Sequence, residues 1–408
     1  MKSWLRTLLY FLAVILITAC VTAGLMLRAT QNKRTDEVVF SAEEYSKISD
    51  LLFLNEMIGH IENDALNEFP GRAALLEAAA EGIVSALDDP YAVYYTPEEY
   101  EAYLANINGE YTGIGVLVGQ PEEVGAVILD VYDETPAAEA GLLPGDILTA
   151  VDGMPVAPML LEELSAAIDK ETGESVTLSI LRGEEASDVS LTCAALNLSR
   201  VSHALFKERT GYIRISMFSG NCATEFREAL NDLTERGMRS LVIDLRNNPG
   251  GTLENVTEIA DSLLGSGTVV SLRGRLDAEG KVYESNAKGI SVPLAIIVNE
   301  NSASASEILA AAVQDHGAGV VVGMTTFGKG VVQTSMQLEG NQAWLKLTTD
   351  AYYTPAGRNI DGIGVTPDIE IALPDEFTGL AIDQIEQEDD AQLWAALDHV
   401  RALADEVQ

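Results

Sequence analysis

The stretch "PLAIIVNENSASASEILAAAVQDH", residues 293–316, decides the fold. An apolar, β-branched run ends at Val298, a small polar turn follows, and from Glu307 the pattern becomes helical. Two further segments repeat the design. "SLVIDLR" (240–246) passes through "NNPGG" into "TLENVTEIADSLL" (252–264), and "VVVGM" (320–324) passes through "TTFGKG" into "VVQTSMQL" (331–338) and then "AWLKLTTDAYYTP". Near-continuous apolar strands feeding helices predict an α/β layer covered on both faces. In open α/β layers reactive groups gather beyond the C-terminal ends of strands. The three turns are therefore expected to converge on one site.

Outside this core the pattern changes twice. Between about 110 and 193 lie short strands and turns: "YTGIGVLVG", "GAVILDVY", "ILTAVDGMPV", and a hairpin of "ESVTLSILRG" with "SDVSLTC". Short helices at "TPAAEAGLLPGD" and "LEELSAAIDK" complete a small β-sandwich. Residues 35–108 read as helical, with Ser41 and Glu44 as a capping box and a second helix at "RAALLEAAAEGIVSAL" that stops before Pro90 and Pro97. The tail "DDAQLWAALDHVRALA" (389–404) is an amphipathic helix.

With 408 residues there is length for two or three domains, each with its own core. Lys and Arg number 25 against 63 Asp and Glu, a formal charge of −38, which repels phosphate backbones and removes nucleic acid as a partner. The N-terminus departs from this acidity. Between Arg6 and Arg28 stand 21 uncharged residues, roughly 30 Å of helix and the thickness of a bilayer core. With Lys2 and Arg6 ahead, a single-pass signal anchor is the preferred reading, with the rest of the chain outside the cytoplasm. A cleaved leader ending at "VTA" (21–23) or a lipid attachment at Cys20 are the alternatives. Cys193 and Cys222 alone remain beyond the leader, so no disulfide framework is expected.

Ser304 stands three residues before Glu307, and a helix cap alone would account for it. A hydroxyl there also lies beside free backbone N–H groups able to stabilise an oxyanion. None of His60, His203, His316 or His399 sits in a Gly-rich turn, which argues against a Ser-His-Asp triad. Lys329, between Gly328 and Gly330, is the better base, and residues 325–336 contain no acid to hold it protonated. A solvated loop lysine is the plain alternative. If 329–333 is extended, Lys329 and Gln333 share a face. The turn "NNPGG" offers the N–H groups of Gly250 and Gly251.

The chain resembles the carboxyl-terminal processing (tail-specific) peptidases. Seven motifs appear in family order over roughly 88–369: "DDPYAVYYTPEEY", "YTGIGV", "TPAAEAGLLPGDILTAVDG", "DLRNNPGG", "NENSASASEI", "TTFGKGVVQ" and "YYTPAGRNIDGIGVTPDI". The resemblance implies a layered protease core of the ClpP/crotonase kind, with an inserted PDZ domain and helical terminal segments. Its divisions would be an anchor at 1–34, a helical region at 35–108, a PDZ domain at 109–194, the serine protease core at 195–375 and a helical tail at 376–408. It implies Ser304 as nucleophile, the serine 25 residues before the family's lysine, with Lys329 as general base and Gln333 orienting it. It further implies oxyanion donors at Ala305 and at Gly250 or Gly251, Gly250 being favoured, with no metal and no cofactor. The PDZ domain would hold substrate C-termini by strand addition, the carboxylate lying against Thr112, Gly113, Ile114 and Gly115. Terminal helices in relatives mediate dimers, so 35–80 and 390–405 are candidates for a homodimer. Two departures stand out: "DKETG" (169–173) replaces a basic turn, and "QDHG" brings in His316. An inert PDZ scaffold and a hydrolase of small thioesters are the competing classes.

Overall fold

Strands that are apolar on both faces need cover on both sides, and the central sheet has it. In the computed structural model six strands run in the order Val201–Leu205, Thr210–Ile215, Ser240–Asp244, Leu294–Val298, Val320–Gly323 and Ile369–Glu370. The first pair is antiparallel and the others are parallel. The side chains of Ser240–Asp244 and Leu294–Val298 are buried throughout. Helices Cys222–Glu235, Leu253–Leu263 and Ala305–Asp315 cover one face through a single apolar cluster. Helix Ala391–Glu406 covers the other with Leu393, Ala396, Leu397 and Val400. The apolar face of this helix is thus used within the chain, while Trp394 and Leu403 stay exposed.

The structure describes the chain apart from residues 1–2, 33–40, 50, 120–123, 133–134, 184, 276, 278–279, 375–381, 383–384, 386 and 407–408. Lys2, the side chains of Arg6, Arg28 and Glu44, and the start of the expected tail lie outside the described residues. Contacts divide the chain into residues 1–82 and 83–408. The first unit holds helices Ser3–Asn32, Ala42–Ser49 and Leu52–Asp64 and most of Arg72–Ser85. Among the described residues no helix is long and apolar enough to cross a membrane; within Ser3–Asn32 the unbroken run of described side chains is 10–23.

In the second unit, the expected helical region is interrupted. Val93–Tyr95 is a strand that pairs with Trp344–Tyr353, and Pro97–Ile107 is a helix capped by Thr96 and Glu99. Tyr94 and Tyr100 are buried, so this segment joins the core instead of a helical arm. The second core sheet is antiparallel and also contains Val331–Gln337, Gly265–Gly274 and Lys281–Lys288. The sandwich comprises Val116–Val118, Ala126–Val131, Ile147–Val151, Ser175–Arg182 and Glu185–Thr192, with Met154–Pro155 at its side. It closes on its own apolar cluster with helices Pro136–Glu139 and Leu161–Ile168. Glu110–Gly113 and Ala194–Asn197 pair where the chain enters and leaves it.

Candidate active site

The three serines of the turn have different surroundings. Ser302 is fully buried; its Oγ donates to Leu245 O at 2.8 Å and accepts from Asn299 N. Ser306 is also fully buried and donates to Asn248 O at 2.9 Å. Both hydroxyls anchor this turn to the one at 245–248. Ser304 borders a cleft of about 460 Å³, together with Lys329, Gln333, Gly250, Gly251 and Ala305. The three sequence turns do converge. A larger pocket of about 590 Å³ lies under Arg239 and Arg401, where both arginines are ion-paired to acids.

Ser304 has φ 55° and ψ −111°, a conformation that L residues rarely adopt and that stores strain. Its hydroxyl makes no capping hydrogen bond. Half of the expected box is present: the Glu307 carboxylate accepts from Ser304 N–H at 2.8 Å. The cap is therefore made by Glu307, which leaves Ser304 Oγ uncommitted.

Glu307 also corrects the picture of an acid-free loop. Fully buried, it accepts from Thr326 Oγ1 (2.6 Å), Gly328 N (2.7 Å) and Lys329 N (2.9 Å). One carboxylate thus fixes both the serine turn and the lysine loop. Tyr352 adds a second tie, its hydroxyl donating to Ser304 O (3.2 Å) and Lys329 O. Gly328 and Gly330 are needed because a Cβ at either would meet the 361–364 backbone at 3.0 Å or less.

Burial lowers the Lys329 pKa and Lys346 lowers it further, while Glu307 opposes them. Its Nζ stands over the Tyr91 ring, 4.5 Å from the centroid, and no hydrogen bond joins it to Ser304 Oγ. Gln333 donates to Thr348 Oγ1 at 3.2 Å, and its carboxamide oxygen accepts no hydrogen bond from Lys329. The pairing with Trp344–Tyr353 shifts register between Val332 and Gln333, passing over Thr349. Asp89 holds both neighbours, accepting from Tyr91 N (3.0 Å) and Thr348 Oγ1 (3.2 Å). Asp89, Tyr91 and Lys346 were not singled out from sequence, and Glu307 was read only as a cap. Asp89 and Tyr91 lie inside a quoted motif, but their contacts to Thr348 and Lys329 span more than 200 residues and leave no local pattern.

The "PGG" turn distinguishes its glycines. Gly250 N–H donates to Asn248 Oδ1 at 2.9 Å, so the favoured donor is already engaged. Gly251 has φ 143°, and a Cβ there would stand 2.2 Å from Phe218 O. In the sandwich, Thr112 and Gly115 line a groove of about 300 Å³ with Val116, Val118 and Ile168. Gly113 ends the strand and Ile114 is buried beneath it. Thr135 packs under Gly115, where a Cβ would collide with it.

Residues 209–371 match Peptidase family S41, and residues 127–182 match a PDZ domain. A Staphylococcus haemolyticus protein named as a CtpA-like serine protease is 31% identical over 376 residues, 91% of this chain and 73% of its own. A Bartonella bacilliformis carboxy-terminal-processing protease is 33% identical over 320 residues, 76% of this chain and 73% of its own. A solved S41 protease from Bacteroides fragilis shares the fold at a TM-score of 0.56 and 17% identity, over 84% of this chain and 93% of its own. The chain belongs to peptidase family S41: it is a serine peptidase with a PDZ domain in front of its α/β core.

Proposed function

We propose that this protein is an endopeptidase that takes protein C-termini in its PDZ groove and cleaves the chain with Ser304 and Lys329. The observation that carries the reading is that Ser304 has an uncommitted hydroxyl in a cleft shared with a desolvated lysine. Neutral Lys329 removes the Ser304 proton as Oγ attacks the scissile carbonyl. The oxyanion lies between the N–H groups of Ala305 and Gly251, Gly250 N–H being occupied. The lysine then protonates the leaving amine and activates the water that releases the acyl group. Gln333 orients Lys329 once Nζ leaves the Tyr91 ring. Catalytic hydrogen bonds of this kind often tighten only when substrate is bound.

The uncharged N-terminal stretch anchors the protein in the cell membrane, with the catalytic unit extracytoplasmic. Exposed Tyr45, Leu52, Phe53 and Met57 on the N-terminal helices supply the face for a homodimer. Full-length protein should cleave an unfolded substrate with an apolar C-terminus, and Ser304→Ala and Lys329→Ala should each abolish cleavage. Turnover surviving in either variant would refute the dyad. Recovery of full-length protein in a salt-washed soluble fraction would refute the anchor.

A further inference from the structure

The PDZ groove is apolar along Val116, Val118, Ile168 and Leu196, but one wall comes from outside the sandwich. It is Arg200, in the segment that leads into the core. Its guanidinium lies over the Tyr111 ring, 4.7 Å from the centroid. Both Nε and Nη2 are buried without a hydrogen-bond partner. The ring face offers nothing to the in-plane N–H groups. Leaving charged donors buried and unpaired is costly, and a guanidinium cannot escape the cost by deprotonating.

Arg246 shows what a structural guanidinium receives in this fold. It is fully buried and is ringed by Asp244, Asp390 and Gln392. Among the described residues, Nε and Nη2 of Arg200 have no such acceptors. Tyr111 and Gly113 lie on the same face of Glu110–Gly113 because strand residues alternate. Arg200 stands over the first of them. Asp169 stands over the second, close enough that a Cβ at Gly113 would strike its Oδ1. Loss of hydration pushes the Asp169 carboxyl up to about 6, although the residue as a whole is exposed, and no cation is among the causes. Asp169 is therefore not the partner of Arg200. What the guanidinium lacks is a planar acceptor with two oxygens, and a carboxylate has that geometry.

We infer that Arg200 receives the terminal carboxylate of a tail bound in the groove and is the residue that distinguishes a free chain end from an internal segment. This rests on the tail-binding reading above. The residue is also held to the core: its N–H donates to Glu225 Oε2 at 2.7 Å, and its carbonyl accepts from Ser216 N at 3.0 Å.

The test uses the full chain carrying Ser304→Ala to stop turnover, and fluorescence polarisation of an octapeptide ending in two valines. The peptide is offered with a free C-terminal carboxylate, as the C-terminal amide, and as a cationic aminoethylamide. The Ser304→Ala protein should favour the free acid over the amide by about tenfold or more. Adding Arg200→Met should erase that preference, the affinity for the acid falling by far more than the affinity for the amide. Adding Arg200→Glu should transfer the preference to the aminoethylamide, an outcome that misfolding cannot produce. A preference that survives Arg200→Met overturns the role of Arg200 while tail binding stands, as does an equal loss for acid and amide. Failure of the Ser304→Ala protein to bind any form, or to prefer the acid, overturns the tail reading and this inference with it.

Discussion

Glu307→Gln tests whether one buried carboxylate builds the site. The carboxylate accepts four hydrogen bonds, two on each oxygen: Thr326 Oγ1 and Gly328 N on Oε1, Ser304 N and Lys329 N on Oε2. An amide must put an NH₂ in one of those places. On the Oε2 side it would face two backbone N–H groups. On the Oε1 side it would face one, because the Thr326 hydroxyl can turn and accept. The second orientation is preferred and leaves Gly328 N–H without an acceptor, at about 1–3 kcal/mol. Glu307→Ala leaves all three N–H groups without a side-chain acceptor and opens a cavity, so it should cost at least twice as much. Urea unfolding of the core, followed by tryptophan fluorescence, measures the loss; kcat/KM on a peptide measures displacement of the loop. A Glu307→Gln protein within about 0.5 kcal/mol of wild type and fully active would show that the carboxylate does not hold these turns together.

Lys346 lowers the Lys329 pKa by repulsion, so Lys346→Met should raise it. The neutral base then appears at higher pH, and the acid limb of the kcat/KM profile should move in the alkaline direction; an acid shift or no shift would contradict this. Gly251→Ala should lower kcat by about 10²–10³ in a peptide assay without weakening tail binding, since a Cβ there meets the Phe218 carbonyl and displaces the donor. Arg246→Met should destabilise the core by about 3–5 kcal/mol in urea, because Asp244 and Asp390 lose their shared cation. Burial raises the Asp244 pKa and Arg246 overrides it, leaving it below the ordinary value. That stabilisation is present at neutral pH and should be lost as pH falls through the lowered pKa, which circular dichroism in acid would register.

The core was legible because its signals are local. Runs such as Leu294–Val298 and Ser240–Asp244, short, apolar and bounded by turn residues, read as doubly covered strands, and Ser304, Lys329 and the "PGG" turn follow such strands. Val93–Tyr95 was hidden by its brevity and by the prolines around it; it is a strand because Trp344–Tyr353 offers it an edge. Glu307 read as half of a cap, and its larger task depends on a loop brought in from 19 residues away and beyond. That Gly250 N–H is engaged depends on the Asn248 side-chain oxygen that accepts from it, which spacing cannot reveal. Arg200 carries no local signal, since a missing partner is visible only in three dimensions.

The central claim is that Ser304 is the nucleophile and depends on Lys329. Covalent labelling of the full chain with a serine-directed phosphonate, followed by peptide mass spectrometry, tests it most directly. The account predicts one modified residue, Ser304, with a labelling rate that rises with pH and collapses in Lys329→Ala. Modification of another serine, or Ser304 labelling in Lys329→Ala at the wild-type rate, would contradict it.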